Sequence, residues 1–122
     1  APRARWSPPL ATEGIAADRA VVQAYREDPL VAHGRPRLGT ALAILRAADA
    51  IRKRAPDIVV PTLLLHGDDD PLTPISGAEW LEANLGSDDV ELRRYPGRHE
   101  IFNEPVGPQA VDDVIAWLST RT

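Results

Sequence analysis

Two short stretches of this sequence concentrate the groups that acid–base chemistry needs. His66-Gly67-Asp68-Asp69-Asp70-Pro71 carries three adjacent carboxylates, and Tyr95-Pro96-Gly97-Arg98-His99-Glu100 carries an imidazole. A carboxylate that accepts the Nδ1 proton of a histidine fixes its tautomer and stabilises the imidazolium formed during proton transfer. The second ring nitrogen, Nε2, is then free to act as a general base. An acid on the first stretch and the histidine on the second make such a pair if the fold brings them together. The run of three acids lacks the spacing and terminal Glu of a calcium loop. His33, His66 and His99 are too scattered for a zinc site.

The surrounding pattern supplies elements to position these loops. Thr62-Leu63-Leu64-Leu65 is continuously apolar, which suits a strand buried on both faces of a parallel sheet, with Pro61 near its start. Val90-Glu91-Leu92-Arg93-Arg94-Tyr95 alternates and reads as a second strand. Between them, Thr73-Pro74 predicts a helix opening with Thr73 as N-cap. Ile75, Ala78, Leu81 and Leu85 form its inward face and Gly86 its stop. After the second strand, Pro105 predicts the opening of a helix with Val111, Val114, Ile115 and Leu118 on one face. Asn103-Glu104 lies in the capping position. This strand–helix–strand–helix order implies parallel strands joined by crossovers, and functional groups of open parallel sheets gather at the carboxyl ends of strands. Both candidate loops lie at such ends.

Upstream, residues 1–12 carry Pro2, Pro8 and Pro9 and read as an irregular lead-in. Asp18 caps a helix that ends at Asp28-Pro29. Pro36 marks a new start, and Leu38, Leu42, Ile44, Leu45, Ala48 and Ile51 give a long amphipathic helix ending before Pro56. Two strands do not make a stable sheet, so more strands are expected than this sequence holds.

The loop sequences carry a family resemblance. Leu-Leu-Leu-His-Gly-Asp-Asp-Asp-Pro-Leu (63–72) resembles the acid-bearing segment of α/β-hydrolases, in which the Asp follows the strand-ending Gly by three residues. That rule selects Asp70. Tyr-Pro-Gly-Arg-His-Glu-Ile-Phe-Asn-Glu-Pro (95–105) resembles the histidine loop of bacterial monoacylglycerol lipases and selects His99. Asp-Arg-Ala-Val-Val-Gln-Ala-Tyr-Arg-Glu-Asp-Pro-Leu-Val (18–31) resembles the end of that family's cap region. The similarity spans ~110 residues in consistent order, well beyond a lone motif match.

The resemblance implies an α/β fold, the C-terminal part of an α/β-hydrolase. Residues 1–36 form the end of the cap and its return connection, and residues 37–122 the last part of the core. It implies a serine hydrolase cleaving carboxylic esters, with monoacylglycerol as leading substrate, Asp70 and His99 as catalytic residues, and no metal or organic cofactor. It suggests Tyr25 near the pocket for the glycerol end of the substrate, beside its plain reading as a packing aromatic. A lysophospholipase, an aminopeptidase or another cap-bearing hydrolase is the alternative, and a non-catalytic remnant or interaction module a further one. The pattern also requires a Gly-x-Ser-x-Gly elbow and an oxyanion hole. The serines are Ser7, Ser76, Ser87 and Ser119, and none lies in that motif. The nucleophile is therefore expected on an N-terminal half of the same domain, and this chain alone is expected to be inert. Ala1 in place of an initiator Met fits upstream residues that were removed or belong to another piece.

Composition bounds the remaining classes. Hydrophobic residues make up 43%, enough for a packed interior. With 14 Lys+Arg against 18 Asp+Glu the net charge is −4, which argues against a nucleic-acid partner. Arg52-Lys53-Arg54 reads as three cations favoured by a helix C-terminus. The absence of cysteine excludes disulfides and thiolate chemistry. No apolar run approaches the ~20 residues that span a bilayer. The expectation is a cytoplasmic protein with peripheral membrane contact through the cap. His66 is read as a structural neighbour of the site, His33 as surface, and Trp80 and Trp117 as packing residues.

Overall fold

The apolar run and the alternating run pair as the sequence pattern predicts. Strand β1 (Thr62–Gly67) and strand β2 (Val90–Tyr95) lie parallel, matched residue for residue from Thr62↔Val90 to Gly67↔Tyr95. The computed structural model describes residues 11–32, 34 and 37–121. Residues 1–10 of the expected 1–12 lead-in, with Ser7, together with His33 and Pro36, lie outside the described residues. Among the described residues four helices accompany the sheet: α1 (Arg19–Glu27), α2 (Leu38–Arg54), α3 (Ser76–Asn84) and α4 (Gly107–Ser119). Short 3-10 turns lie at Thr12–Gly14, Ala55–Asp57 and Ile101–Asn103.

Local chemistry explains the helix ends. Asp18 Oδ1 accepts from the Ala20 amide, the expected N-cap, and α1 gives way to extended backbone at Asp28 before Pro29. Helix α3 starts later than expected. Thr73 does not cap it, because its hydroxyl and amide are engaged by Asp70. The turn forms instead on the carbonyls of Pro74 and Ile75. The expected inward face holds, with Ile75, Ala78, Leu81 and Leu85 all half-buried. Gly86 is not a left-handed cap. A Cβ there would stand 1.9 Å from the Pro56 carbonyl oxygen. The position is glycine because two backbone segments nearly touch. Helix α4 opens at Gly107, with Pro108 rather than Pro105 in its first turn.

The core between sheet and α4 is formed by Tyr95, Ile101 and Ala110, with Leu65 and Val106 against it. The α4 face that packs inward runs through Ala110 and Trp117. Val114 is half-buried, but Val111, Ile115 and Leu118 are exposed, Ile115 by 56%. A stripe of apolar residues fixes which side of a helix seeks cover, and α4 carries two such sides with only one sheet face to cover them. The stripe of α2 is likewise open, with Ile44 63% and Leu45 60% exposed. Strands β1 and β2 are half-buried along most of their length, and among the described residues each has one hydrogen-bonded neighbour.

The basic run at the end of α2 is satisfied within the chain. Arg52 stacks 5.0 Å from the Trp80 ring, Lys53 pairs with Asp49 and Arg54 with Asp57. At the far end, Arg121 grips Asp89 with two nitrogens (2.6 and 2.7 Å) and lies over the Trp117 ring. Trp117 is buried and Trp80 half-buried, both as packing residues. No described helix is long and apolar enough to cross a membrane.

Candidate active site

Because β1 and β2 end level, their following loops leave side by side. The ladder continues past the strands: the Asp68 amide donates to the Tyr95 carbonyl and the Asp69 amide to the Gly97 carbonyl, both at 2.9 Å. Gly67 makes this approach feasible. A Cβ at that position would meet the backbone oxygens of Arg98 and Gly97 at 2.2 and 2.5 Å.

Asp70 accepts hydrogen bonds on both carboxylate oxygens while its side chain is only 3% exposed. Oδ1 accepts from the amides of Leu72 (2.7 Å) and Thr73 (3.1 Å). Pro71, which has no N–H, is skipped. Oδ2 accepts from the Thr73 hydroxyl at 2.5 Å and from His99 Nδ1 at 2.8 Å. Burial alone would raise the pKa of this group. The hydrogen bonds from Thr73, His99 and the two amides outweigh it, holding the carboxyl well below the ordinary carboxylate range. Asp70 is therefore an anion in the working pH range, as an imidazole-orienting acid must be.

His99 is 42% exposed, so the ring is anchored on its Nδ1 side and otherwise open. Its loop is held in place by a segment far away in sequence. The His99 amide donates to the Gly14 carbonyl (3.4 Å) and the Glu100 amide to the Ile15 carbonyl (2.9 Å), while Ile15 and Ala16 are buried beneath. Arg98 Nη1 donates to the Glu13 and Ala16 carbonyls.

Glu104 completes the clamp. It is 4% exposed, and its Oε1 accepts from the amides of Ala17 (2.8 Å) and Arg98 (2.9 Å). The expected capping role at α4 is not what this side chain does. A carboxylate capping two distant amides ties the 11–17 segment to the histidine loop, and no local pattern in the sequence signals that. For Thr73 a signal does exist. The Asp-Pro-x-Thr spacing puts a hydroxyl one turn from a carboxylate, which places it at the site and not at the helix start.

The remaining candidates take structural places. His66 donates from Nδ1 to the Gly67 carbonyl at 2.8 Å. Its Nε2 stands 3.9 Å from Asp70 Oδ2, beyond hydrogen-bond reach. Asp68 pairs with Arg94 (2.7 Å), and Asp69 is exposed. Among the described residues no group of three His, Asp or Glu is placed to hold a metal ion. Tyr25 is half-buried on α1. It does not line the cavity of about 520 Å³ that α1 forms with Glu13 and Arg98. Ser76 is exposed in the first turn of α3, a helix-start position and not a strand-to-helix elbow.

What this geometry offers is a desolvated carboxylate bonded to one nitrogen of an accessible imidazole, an arrangement able to fix the ring's tautomer and leave its other nitrogen free for proton transfer. Comparison with known proteins gives the family. Residues 1–106 match the family described as serine aminopeptidase, S33. A monoacylglycerol lipase of Mycolicibacterium smegmatis is 39% identical over 110 residues, covering 89% of this chain and 39% of that protein. A monoglyceride lipase homolog of Monkeypox virus is 30% identical, over 92% of this chain and 41% of that protein. Among solved structures, a Paleococcus ferrophilus monoacylglycerol lipase superposes with a TM-score of 0.89 at 28% identity, covering 99% of this chain and 48% of that one. The chain thus spans about two fifths of the length of the curated relatives it matches. The fold, the paired loops and these matches agree: the chain belongs to the serine aminopeptidase S33 family, as an α/β-hydrolase of the monoacylglycerol lipase type.

Proposed function

We propose that Asp70 and His99 are the acid and base of a serine esterase acting on monoacylglycerols, whose nucleophile and oxyanion hole come from polypeptide outside these 122 residues. The observation that carries this is the 2.8 Å bond between a buried Asp70 Oδ2 and His99 Nδ1. His99 Nε2 takes the proton of the serine hydroxyl as its oxygen bonds to the ester carbonyl carbon. The same proton passes to the departing glycerol oxygen as the C–O bond breaks. Water then repeats the sequence on the acyl-enzyme and releases the fatty acid. Asp70 stays ionised throughout and stabilises the transient imidazolium.

Residues 1–36 serve as the end of the cap over the acyl chain and residues 37–122 as the late part of the core, with Tyr25 near the glycerol end. The enzyme works in the cytoplasm, where its cap meets the membrane surface from which so apolar a substrate is drawn. The substrate class rests on the 39%-identical lipase. The family description favours, as a second reading, a peptide amide cleaved by the same pair. Hydrolysis of an amino-acid p-nitroanilide but not of monooleoylglycerol would select it.

Labelling with a serine-directed phosphonate tests the reading. The hydrolase that contains this chain is expected to be labelled, and His99→Ala or Asp70→Ala to abolish labelling with the fold retained. Labelling unaffected by His99→Ala would remove the central assignment. The 122-residue chain alone is expected to leave a chromogenic short-chain ester intact. Without a nucleophile no acyl-enzyme forms, and without an oxyanion hole the transition state loses most of its stabilisation.

A further inference from the structure

Asp70 Oδ2 is a shared acceptor. The Thr73 hydroxyl reaches it at 2.5 Å and His99 Nδ1 at 2.8 Å, and the same hydroxyl lies 3.3 Å from Nδ1. The three atoms form a closed triangle. The Thr73 amide binds the other oxygen, Oδ1, so residue 73 holds the carboxylate from both sides. We propose that Thr73 is a positioning residue that shares Asp70 Oδ2 with His99 and so limits how strongly that oxygen holds the Nδ1 proton. The proposal rests on the Asp70–His99 reading and adds a third member to it.

Two donors compete for one oxygen. A hydroxyl donating to a carboxylate draws negative charge away from the other donor on the same atom. With Thr73 in place, Oδ2 divides its charge between a hydroxyl and the imidazole. Without the hydroxyl, His99 faces the undivided charge and binds its proton more tightly. A base that is too often protonated at working pH is a poor base. An opposing effect exists, since the Thr73 oxygen also accepts weakly from Nδ1–H. At 3.3 Å against 2.5 Å that contact is the lesser one.

Other charged groups face the pair and must be common to all variants compared. His66 on β1 stands 3.9 Å from Oδ2. Arg98 and Glu100 flank His99 in its own loop, and Asp69 precedes Asp70; Glu13 and Asp69 line a neighbouring cavity with Arg98 and not the pair itself. Their own partners lie elsewhere, so changing residue 73 leaves them in place.

The test is an NMR titration of the His99 ring in the hydrolase that contains this chain, in the original sequence and in Thr73→Val, Thr73→Ser and Asp70→Asn. Thr73→Val is expected to raise the proton affinity of His99 about three- to tenfold, the equivalent of one net hydrogen bond. Thr73→Ser, which restores the hydroxyl, is expected to return it to within about twofold of the original. Thr73→Cys, a weaker donor of similar size, is expected to fall between them, and it serves where Thr73→Val does not fold. An unchanged His99 titration in Thr73→Val or in Thr73→Cys, with Asp70→Asn lowering it, overturns the role of Thr73 and leaves the pair standing. A His99 titration unmoved by Asp70→Asn overturns the pair and the Thr73 proposal together.

Discussion

Replacing Asp70 by Asn tests the acid–base geometry most directly, because the structure dictates which way the new amide must face. Oδ1 accepts two backbone amides, from Leu72 and Thr73, and neither can turn round. The Asn oxygen must occupy that position, which places its NH2 where Oδ2 now meets His99 Nδ1. The NH2 can only donate, so Nδ1 must become the acceptor. The proton moves to Nε2, and the nitrogen that should take the serine proton is already protonated. Loss of the charge adds to this. The present bond holds the two groups 2.8 Å apart. Across an effective dielectric of ~20–80, unit charges that close attract by about 1–6 kcal/mol. His99 is 42% exposed. Solvent screening therefore places the pair in the lower half of that range. A wrong tautomer in such a triad costs about 10^4-fold in kcat. The assay is kcat of the hydrolase containing this chain on the proposed monoacylglycerol substrate, together with nitrogen-15 shifts of the His99 ring. A variant that retains activity within about tenfold, with Nδ1 still protonated, would rule this account out.

Four further outcomes follow from the same contacts. The depressed pKa of Asp70 contributes stability that is fully present above the unfolded value of about 4 and is lost as pH falls through the folded value. In the hydrolase containing this chain, the stability gap between the original sequence and Asp70→Asn should therefore close on acidification below about pH 4. A gap independent of pH in urea melts would contradict this. Glu104→Ala leaves the Ala17 and Arg98 amides without their acceptor. In the same hydrolase it should cost about 2–4 kcal/mol in denaturant unfolding, and Glu104→Gln, which keeps the accepting oxygen, under half as much. Gly67→Ala forces a Cβ into the backbone of the histidine loop. It should lower kcat far more than it lowers substrate affinity, with a stability loss of about 1–3 kcal/mol. The isolated chain, with the α2 stripe and the outer α4 face open, should melt without a cooperative transition; a sharp calorimetric peak would count against this.

What could be read from the sequence was what the backbone itself determines. The strand–helix–strand order predicts that the two loops leave neighbouring strand ends, and they do; the choice of Asp70 and His99 within them comes from the family resemblance, and the two side chains stand 2.8 Å apart. The Asp18 cap and the inward face of α3 were legible because each is a local pattern. Thr73 and Glu104 mislead for a shared reason. Each sits next to a proline at a helix opening, where capping is the commonest local use of a polar side chain. Each instead serves a long-range or cross-turn bond that sequence proximity does not reveal. The apolar face of α4 could be read from periodicity, but periodicity does not say which neighbour covers it. Whether Tyr25 meets substrate depends on contacts that a helix pattern does not encode.

The level ending of the two strands has a consequence for how the protein tolerates change in length. One residue along a strand is a step of ~3.3 Å. That step is longer than the 2.8 Å bond between Asp70 and His99. Gaining or losing one residue in β1 or β2 would shift one loop past the other by that step and turn Tyr95 out of the core as well. Such a slip within the sheet would disturb the core and part the Asp70–His99 pair at a stroke, whereas the helical connection through α3 can lengthen or shorten without moving either side chain of the pair. Natural variation in length should therefore collect between residues 76 and 89 and avoid both strands.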